Sequence, residues 1–190
     1  MRLEPLALAG CFRLLGNRLE DSRGDFFKLF HAPTLAGLGL ETDFTESFVS
    51  TSRAGVIRGM HFQRPPKDHA KLVCCLSGRA RDGLVDLRPG SPTFGASTSL
   101  ILSADAPEVL YVPRGVAHGF AAHVENTQMW YLVSSVHDPA ADAGVHVHGV
   151  GIDWWTDGPA TVEPILSARD QQFPALDAYL ANSDSETGKR

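Results

Sequence analysis

Cysteine is scarce in this 190-residue chain, and no apolar stretch is long enough to span a bilayer. The three cysteines, Cys11, Cys74 and Cys75, have no metal-ligand spacing, and an adjacent pair on a strand points to opposite faces. They read as free packing residues in a reducing compartment. Basic runs are missing too: formal net charge is -5 and no Lys/Arg run exceeds two residues, so the phosphate attraction behind nucleic-acid binding is absent. Nucleic acid is excluded as a partner. "LAGC", Leu8 to Cys11, has the outline of a lipoprotein signal end. However, Glu4 and Pro5 precede it and Leu6 to Ala9 supply only four apolar residues, where a signal core needs about 7–15. With neither leader nor span, the expectation is a soluble cytoplasmic protein that does not engage membranes.

Turn formers are plentiful instead. Eighteen glycines and 12 prolines, dispersed rather than clustered, suit many short strands joined by tight turns. Runs rich in aromatic and β-branched residues predict strands at Phe26–His31, Ser47–Ser52, Val56–His61, Ala70–Leu76, Ala80–Leu87, Ser97–Leu102, Val109–Val112, Gly119–His123 and Gln128–Ser134. The breaks between them are turn-like, as in "SG" at Ser77–Gly78 and "RPGSP" at Arg88–Pro92. The expected fold is all-β, a jelly-roll sandwich or barrel with short peripheral helices. Helical signal is confined to Leu166–Asn182, with Ser167 as a candidate cap. No repeat or linker divides the chain, so residues 1–182 form one domain and the polar segment Ser183–Arg190 is expected to be disordered.

In "YVPRGVAHGF", Tyr111 to Phe120, a strand ends at Pro113, Gly115 permits a sharp turn, and His118 returns on the next strand. This P-x-G-x-x-H pattern resembles the second motif of cupins. Metal-binding cupins add two histidines and a glutamate from a first motif. Here that stretch holds only His61, followed by Phe62 and Gln63. The reading is a cupin-type fold with no metal site.

Seven segments then occur in a shared order: "DSRGDFF" (Asp21–Phe27), "GVIRGMHFQ" (Gly55–Gln63), "KLV" (Lys71–Val73), "VDLRPGSPTFG" (Val85–Gly95), "VPRGVAHGF", "GIDW" (Gly151–Trp154) and "LSARD" (Leu166–Asp170). From about Asp21 to Asp170 the chain resembles the dTDP-4-dehydrorhamnose 3,5-epimerases. The resemblance implies a cupin-type jelly roll, usually a homodimer, that uses no cofactor and acts on a nucleotide-linked 4-keto-6-deoxyhexose. Such chemistry has clear requirements. A base removes a proton beside the ketone, a cation stabilises the enolate, and an acid returns a proton from the opposite face.

By the same resemblance His61 is the base, and an imidazole pKa of about 6.5 suits that task. Asp170 orients it, Tyr131 is the general acid, and Lys71 sits beside the keto oxygen. The double proline between His61 and Lys71 lets the lysine's strand return alongside the histidine's. Arg23 and Arg58 match arginines for the diphosphate, and Phe26 offers a flat surface for the base. His118, Gln63, Asp142 and Arg169 fall at further substrate positions. Strict alternation would turn Arg58 away from His61, and a bulge at Gly59 would remove the conflict. By residue type alone there are plainer readings: a packed strand histidine, an interior tyrosine, an exposed strand lysine.

The chain departs from the family where the nucleotide is expected. Lys28 replaces a usual glutamate, and Glu46, Ser47, Phe48, Val49, Ser50 replace a "Q-D-N-H-S" run, so Lys28, Glu46 and Phe48 join the candidate substrate contacts. These swaps leave open which nucleotide is bound and whether one or both carbons are inverted. "VHVHG" puts His146 and His148 on one face if extended. Two competing readings therefore stand: a metal-dependent cupin using His61, His118 and this pair, and a non-catalytic sugar-nucleotide binder.

Overall fold

Thirteen short strands and little helix among the described residues are what the turn-rich composition produces. The computed structural model describes residues 2–16, 18–158 and 163–187. In chain order the elements are β1 (Arg2–Pro5), β2 (Phe12–Leu15), β3 (Arg18–Asp21), β4 (Gly24–Phe27), α1 (Ala32–Gly37), β5 (Glu46–Ser52) and β6 (Ile57–Gln63). There follow β7 (Lys71–Ser77), β8 (Arg79–Asp86), β9 (Ser97–Ser103), β10 (Val109–Val112), β11 (Val116–Ala122), β12 (Thr127–Val133), β13 (Asp142–Gly144), a 3₁₀ turn at Asp170–Gln172, and α2 (Leu176–Thr187). One sheet runs β1-β2-β10-β7-β12-β5 and a second β13-β6-β11-β8-β9, while β3 and β4 form a separate hairpin. This is the expected all-β jelly roll.

Alternation builds the layers. Along β12, Thr127, Met129, Tyr131 and Val133 are buried, and the residues between them are half-exposed. Met129 and Tyr131 join Val73, Cys75, Leu84 and Phe120 in the core between the sheets. Cys74 packs on the other face of β7, against Leu35 of α1 and Leu72, so the adjacent cysteines do point opposite ways. The outer face of the second sheet is covered by Val145, Val147, Trp154 and Leu176.

The bulge expected at Gly59 is present. His61 pairs with His118 and Arg58 with Phe120, so β6 carries one residue more than β11 over that interval. Gly59 has φ +133°, and a Cβ there would lie 2.5 Å from Gly119 Cα. Glycine is therefore required both by the backbone conformation and by the close approach of the two strands. The extra residue brings Arg58 and His61 to the same cavity.

Several local expectations are corrected. The strand expected at Phe26–His31 ends at Phe27, because Pro33 at the first turn of α1 starts a helix instead. The helix expected at Leu166–Asn182 splits into the 3₁₀ turn and α2, and Pro174 separates them. Ser167 is not the cap, since Arg169 holds that position, but its Oγ accepts from Asp170 N–H at 3.1 Å. Strands β1, β2, β3 and β13 were not anticipated, and β11 begins three residues earlier than expected, at Val116. Helix α2 continues to Thr187, into the segment expected to be disordered, and residues 188–190 lie outside the described residues.

Candidate active site

A cavity of about 730 Å³ is lined from both sheets. His61 enters it from β6 with Asp170 Oδ1 2.8 Å from its Nε2. Asp170 also accepts from Gly59 N–H at 3.3 Å, which ties the bulge to the carboxylate. Burial opposes ionisation of Asp170, but the bonds from His61, Gly59 and Ser167 override it and hold the carboxyl at about 2. Arg169 Nη2 also approaches His61 Nε2, at 2.6 Å. One ring nitrogen cannot both donate to a carboxylate and accept from a guanidinium. The anionic, buried Asp170 wins the proton, fixing Nε2–H and leaving the Nδ1 lone pair available as a base. Burial lowers the His61 pKa; Asp170 opposes that shift, and the charges of Arg169 and Lys71 add to it. The imidazole therefore stays neutral further into acid than a free histidine.

Lys71 opens β7 on the facing sheet, and its Nζ donates to the His61 carbonyl at 3.0 Å. That contact brings the imidazole and the ammonium to one place. Burial lowers the ammonium pKa to about 8, against the opposing pull of Asp142 and Asp82. Tyr131 projects from β12, only 8 % exposed. Its ring stacks on Phe48, the residue opposite it on β5, with centroids 4.8 Å apart and planes at 18°. Burial and the Asp82 carboxylate push the phenol pKa up, while Ser50 and Arg58 pull it down.

His61, Asp170, Lys71 and Tyr131 were expected at the site, and so were Glu46, Phe48, Arg58, Gln63, His118, Asp142 and Arg169, all of which line the cavity. Their roles are unequal. Gln63 is 3 % exposed, its Oε1 accepting from Asp138 N–H and its Nε2 donating to Lys67 O, each at 2.7 Å, so its amide is occupied within the protein. Arg169 Nη1 is paired with Asp142 Oδ2 at 2.7 Å. His118 is buried, with Nε2 2.8 Å from Asp82 Oδ2. Arg23, Phe26 and Lys28 do not line the cavity: the first two lie on the β3–β4 hairpin and Lys28 follows it, all three exposed. Arg23 there pairs with its neighbour Asp21 at 2.6 Å.

Sequence reasoning missed Asp82, His69, His137 and Phe173. Phe173 sets its edge against the His61 ring at 5.7 Å. His69 stands two residues before Lys71, a spacing that on an extended chain marks a shared face and could have drawn attention to it. His146 and His148 lie with ring centroids 5.1 Å apart, and His146 Nδ1 accepts from His148 N–H. Among the described residues no group of three or more His, Cys, Asp or Glu side chains is arranged to hold a metal.

Known proteins resemble this chain over most of its length. Residues 5–178 match a family model described as dTDP-4-dehydrorhamnose 3,5-epimerase. The dTDP-4-dehydrorhamnose 3,5-epimerase of Streptomyces griseus is 37% identical over 177 residues, 92% of this chain and 86% of that protein. The dTDP-4-dehydrorhamnose 3-epimerase of Streptomyces niveus is 36% identical over 174 residues, 90% of this chain and 82% of that protein. Among solved structures, the rmlC epimerase of Mycobacterium tuberculosis superposes with a TM-score of 0.88 at 35% identity, covering 96% of this chain and 92% of that one.

Proposed function

The chain belongs to the dTDP-4-dehydrorhamnose 3,5-epimerase family, a family of carbohydrate isomerases, and from that premise we propose a substrate, a set of roles and an assembly. The substrate is a nucleoside-diphosphate 4-keto-6-deoxyhexose, inverted at carbon 3, carbon 5 or both. His61 Nδ1 takes the proton from the carbon beside the ketone, and the C–H electron pair moves into an enolate whose negative charge gathers on the keto oxygen. Lys71 stabilises that charge, and Asp170 stabilises the imidazolium. Tyr131 delivers a proton to the opposite face of the same carbon. A phenol is a far stronger acid than the C–H of a ketone, so even a phenol with a raised pKa can protonate the enolate carbon. The observation that carries this reading is the His61–Asp170 contact at 2.8 Å, in one cavity with the Lys71 ammonium and the Tyr131 phenol.

Arg58, exposed at the cavity with Nε bonded to Ser52 Oγ at 3.0 Å, is the arginine available to the diphosphate from this subunit. The hairpin bearing Arg23 and Phe26 exposes Leu19 (62 %) and Phe26 (58 %), and a homodimer in which it meets a second copy would cover them. One domain spanning residues 1–182 carries all these parts. Its three thiols are free and buried, which suits the reducing cytoplasm.

Incubation in deuterated water with dTDP-, CDP-, GDP- and UDP-linked 4-keto-6-deoxyhexoses tests the reading. Deuterium at carbon 3, carbon 5 or both names the reaction, and the accepted substrate names the nucleotide. His61→Ala should lower exchange at every carbon by on the order of 10⁴-fold, the upper end for a general base. Binding without exchange in the wild type would leave only a sugar-nucleotide binder.

A further inference from the structure

His69 is a cavity-lining imidazole to which the mechanism above gives no task. Its tautomer follows from its neighbours. The Asp138 N–H can only donate, so the Gln63 atom it meets at 2.7 Å is Oε1, and the other terminal atom is the amide nitrogen. That NH₂ donates to Lys67 O at 2.7 Å and lies 3.2 Å from His69 Nδ1. Ser135, the other polar side chain near Nδ1 at 3.4 Å, has its hydroxyl donated to Lys67 O. The second amide proton can also reach Ser135 Oγ at 3.2 Å and Val136 O at 3.3 Å. The amide nitrogen, at 3.2 Å, is nonetheless closer to Nδ1 than Ser135 Oγ, at 3.4 Å, so Nδ1 is assigned as the acceptor and the ring proton to Nε2, which makes no hydrogen bond among the described residues. Burial, with the charges of Lys71, Arg114 and His137, keeps this imidazole neutral down to about pH 3.

The chain is extended where His69 lies. Ala70 N–H donates to Ser134 Oγ at 2.9 Å and Ala70 O accepts from Ser134 N–H at 3.1 Å, so His69 and Lys71 flank Ala70 on one face. Two donors of different charge thus face the same side of the cavity. Since a second cation would repel the Lys71 ammonium, a neutral N–H can add stabilisation to an oxyanion without weakening the first donor.

We propose that His69 is a second, uncharged donor to the substrate, its Nε2–H sharing with Lys71 the oxygen on which the enolate's charge collects. The inference rests on the epimerase reading of the cavity. Its test uses the intact protein and whichever 4-keto sugar nucleotide the wild type accepts. His69→Phe keeps a ring and removes the donor, and it should lower kcat for deuterium exchange by on the order of 10²-fold, the usual effect of deleting one oxyanion donor, with KM within about threefold. His69→Gln, whose amide can donate, should recover at least tenfold of that loss. In ¹⁵N spectra of the histidine-labelled wild type, the imidazole signals lost in His69→Gln should report protonated Nε2 and bare Nδ1 across the active pH range. A fully active His69→Phe, a His69→Gln no better than His69→Phe, or a proton found on Nδ1 would each overturn the assignment. Absence of exchange in the wild type sinks the epimerase reading and this inference together, whereas exchange in the wild type with an unimpaired His69→Phe sinks this inference alone.

Discussion

Two histidine–aspartate pairs sit side by side on neighbouring strands, because His61 on β6 is in register with His118 on β11. Each has a ring Nε2 2.8 Å from a carboxylate oxygen. Their surroundings differ. The His61 side chain is 27% exposed and opens to the cavity, and Asp170 is held at about 2 by bonds from the bulge, the histidine and Ser167, with Arg169 Nε a fourth donor 3.3 Å from its Oδ1. The His118 and Asp82 side chains are 4% and 0% exposed. Burial raises the Asp82 pKa, and its Oδ1 has no hydrogen-bond partner among the described residues. The same two groups at the same distance thus make a cavity-facing imidazole, the proposed base, in one case and a buried polar pair in the other. What separates them is solvent access and the count of donors around the carboxylate, not the contact itself.

The sharpest way to break this comparison is to neutralise each carboxylate in turn. Asp170→Asn keeps the shape, but its amide NH₂ can donate to Nε2, which moves the ring proton to Nδ1 and blocks the base. Exchange should fall on the order of 10³–10⁴-fold, as for other base-orienting aspartates. Asp82→Asn removes a buried charge one of whose oxygens is unpaired, so kcat should stay within about tenfold and stability within about 1 kcal/mol of wild type. Exchange rates and urea midpoints on both variants decide the matter. Equal losses of activity would mean that the two pairs do the same work.

A smaller effect distinguishes the cation from the bases. With its pKa lowered to about 8, Lys71 loses its charge as pH rises through that value, while His61, its pKa lowered by burial, gains a proton only in acid below the ordinary histidine value. The profile of kcat/KM should therefore be flat near neutrality and fall on the alkaline side around pH 8. Lys71→Arg, charged at every accessible pH, should retain roughly a tenth of the activity and lose that alkaline limb. An unchanged limb in the variant would assign the titration to another group.

Much of this site was legible before any coordinates. His61, Lys71 and Asp170 lie in segments whose order and spacing carry a family resemblance, Tyr131 falls outside them at a position the same resemblance assigns, and the clash between alternation and a shared role for Arg58 and His61 already pointed to a bulge at Gly59. Other parts were not legible, for physical reasons. "RLEP" and "FRLL" have no period of two, and they become β1 and β2 because their partners in the sheet supply the hydrogen bonds. Asp82 is a single polar residue whose meaning arises only when β11 packs against it, and His69, though its spacing from Lys71 was a signal, takes its hydrogen-bond partner only when the Gln63 side chain meets it. The β3–β4 hairpin formed, but apart from the cavity its arginine was assigned to, because local strand pairing says nothing about what a hairpin reaches.

The smallest effect concerns the acid rather than the base. Tyr131 has Phe48 stacked on one side and the edge of His118 at 5.8 Å on another. Phe48 is 45% exposed, so its removal leaves no buried void, only a phenol ring with one wall missing. An aromatic pair of this kind contributes about 0.5–1.5 kcal/mol beyond its area. Phe48→Ala should therefore slow delivery of the second proton by roughly two- to tenfold, leaving removal of the first by His61 unchanged. In deuterated water that appears as a lowered ratio of inverted product to deuterium washed into recovered substrate. A loss equal to that of Tyr131→Phe would mean that Phe48 touches the sugar itself, and an unaltered ratio would mean that the β12 backbone alone orients the phenol.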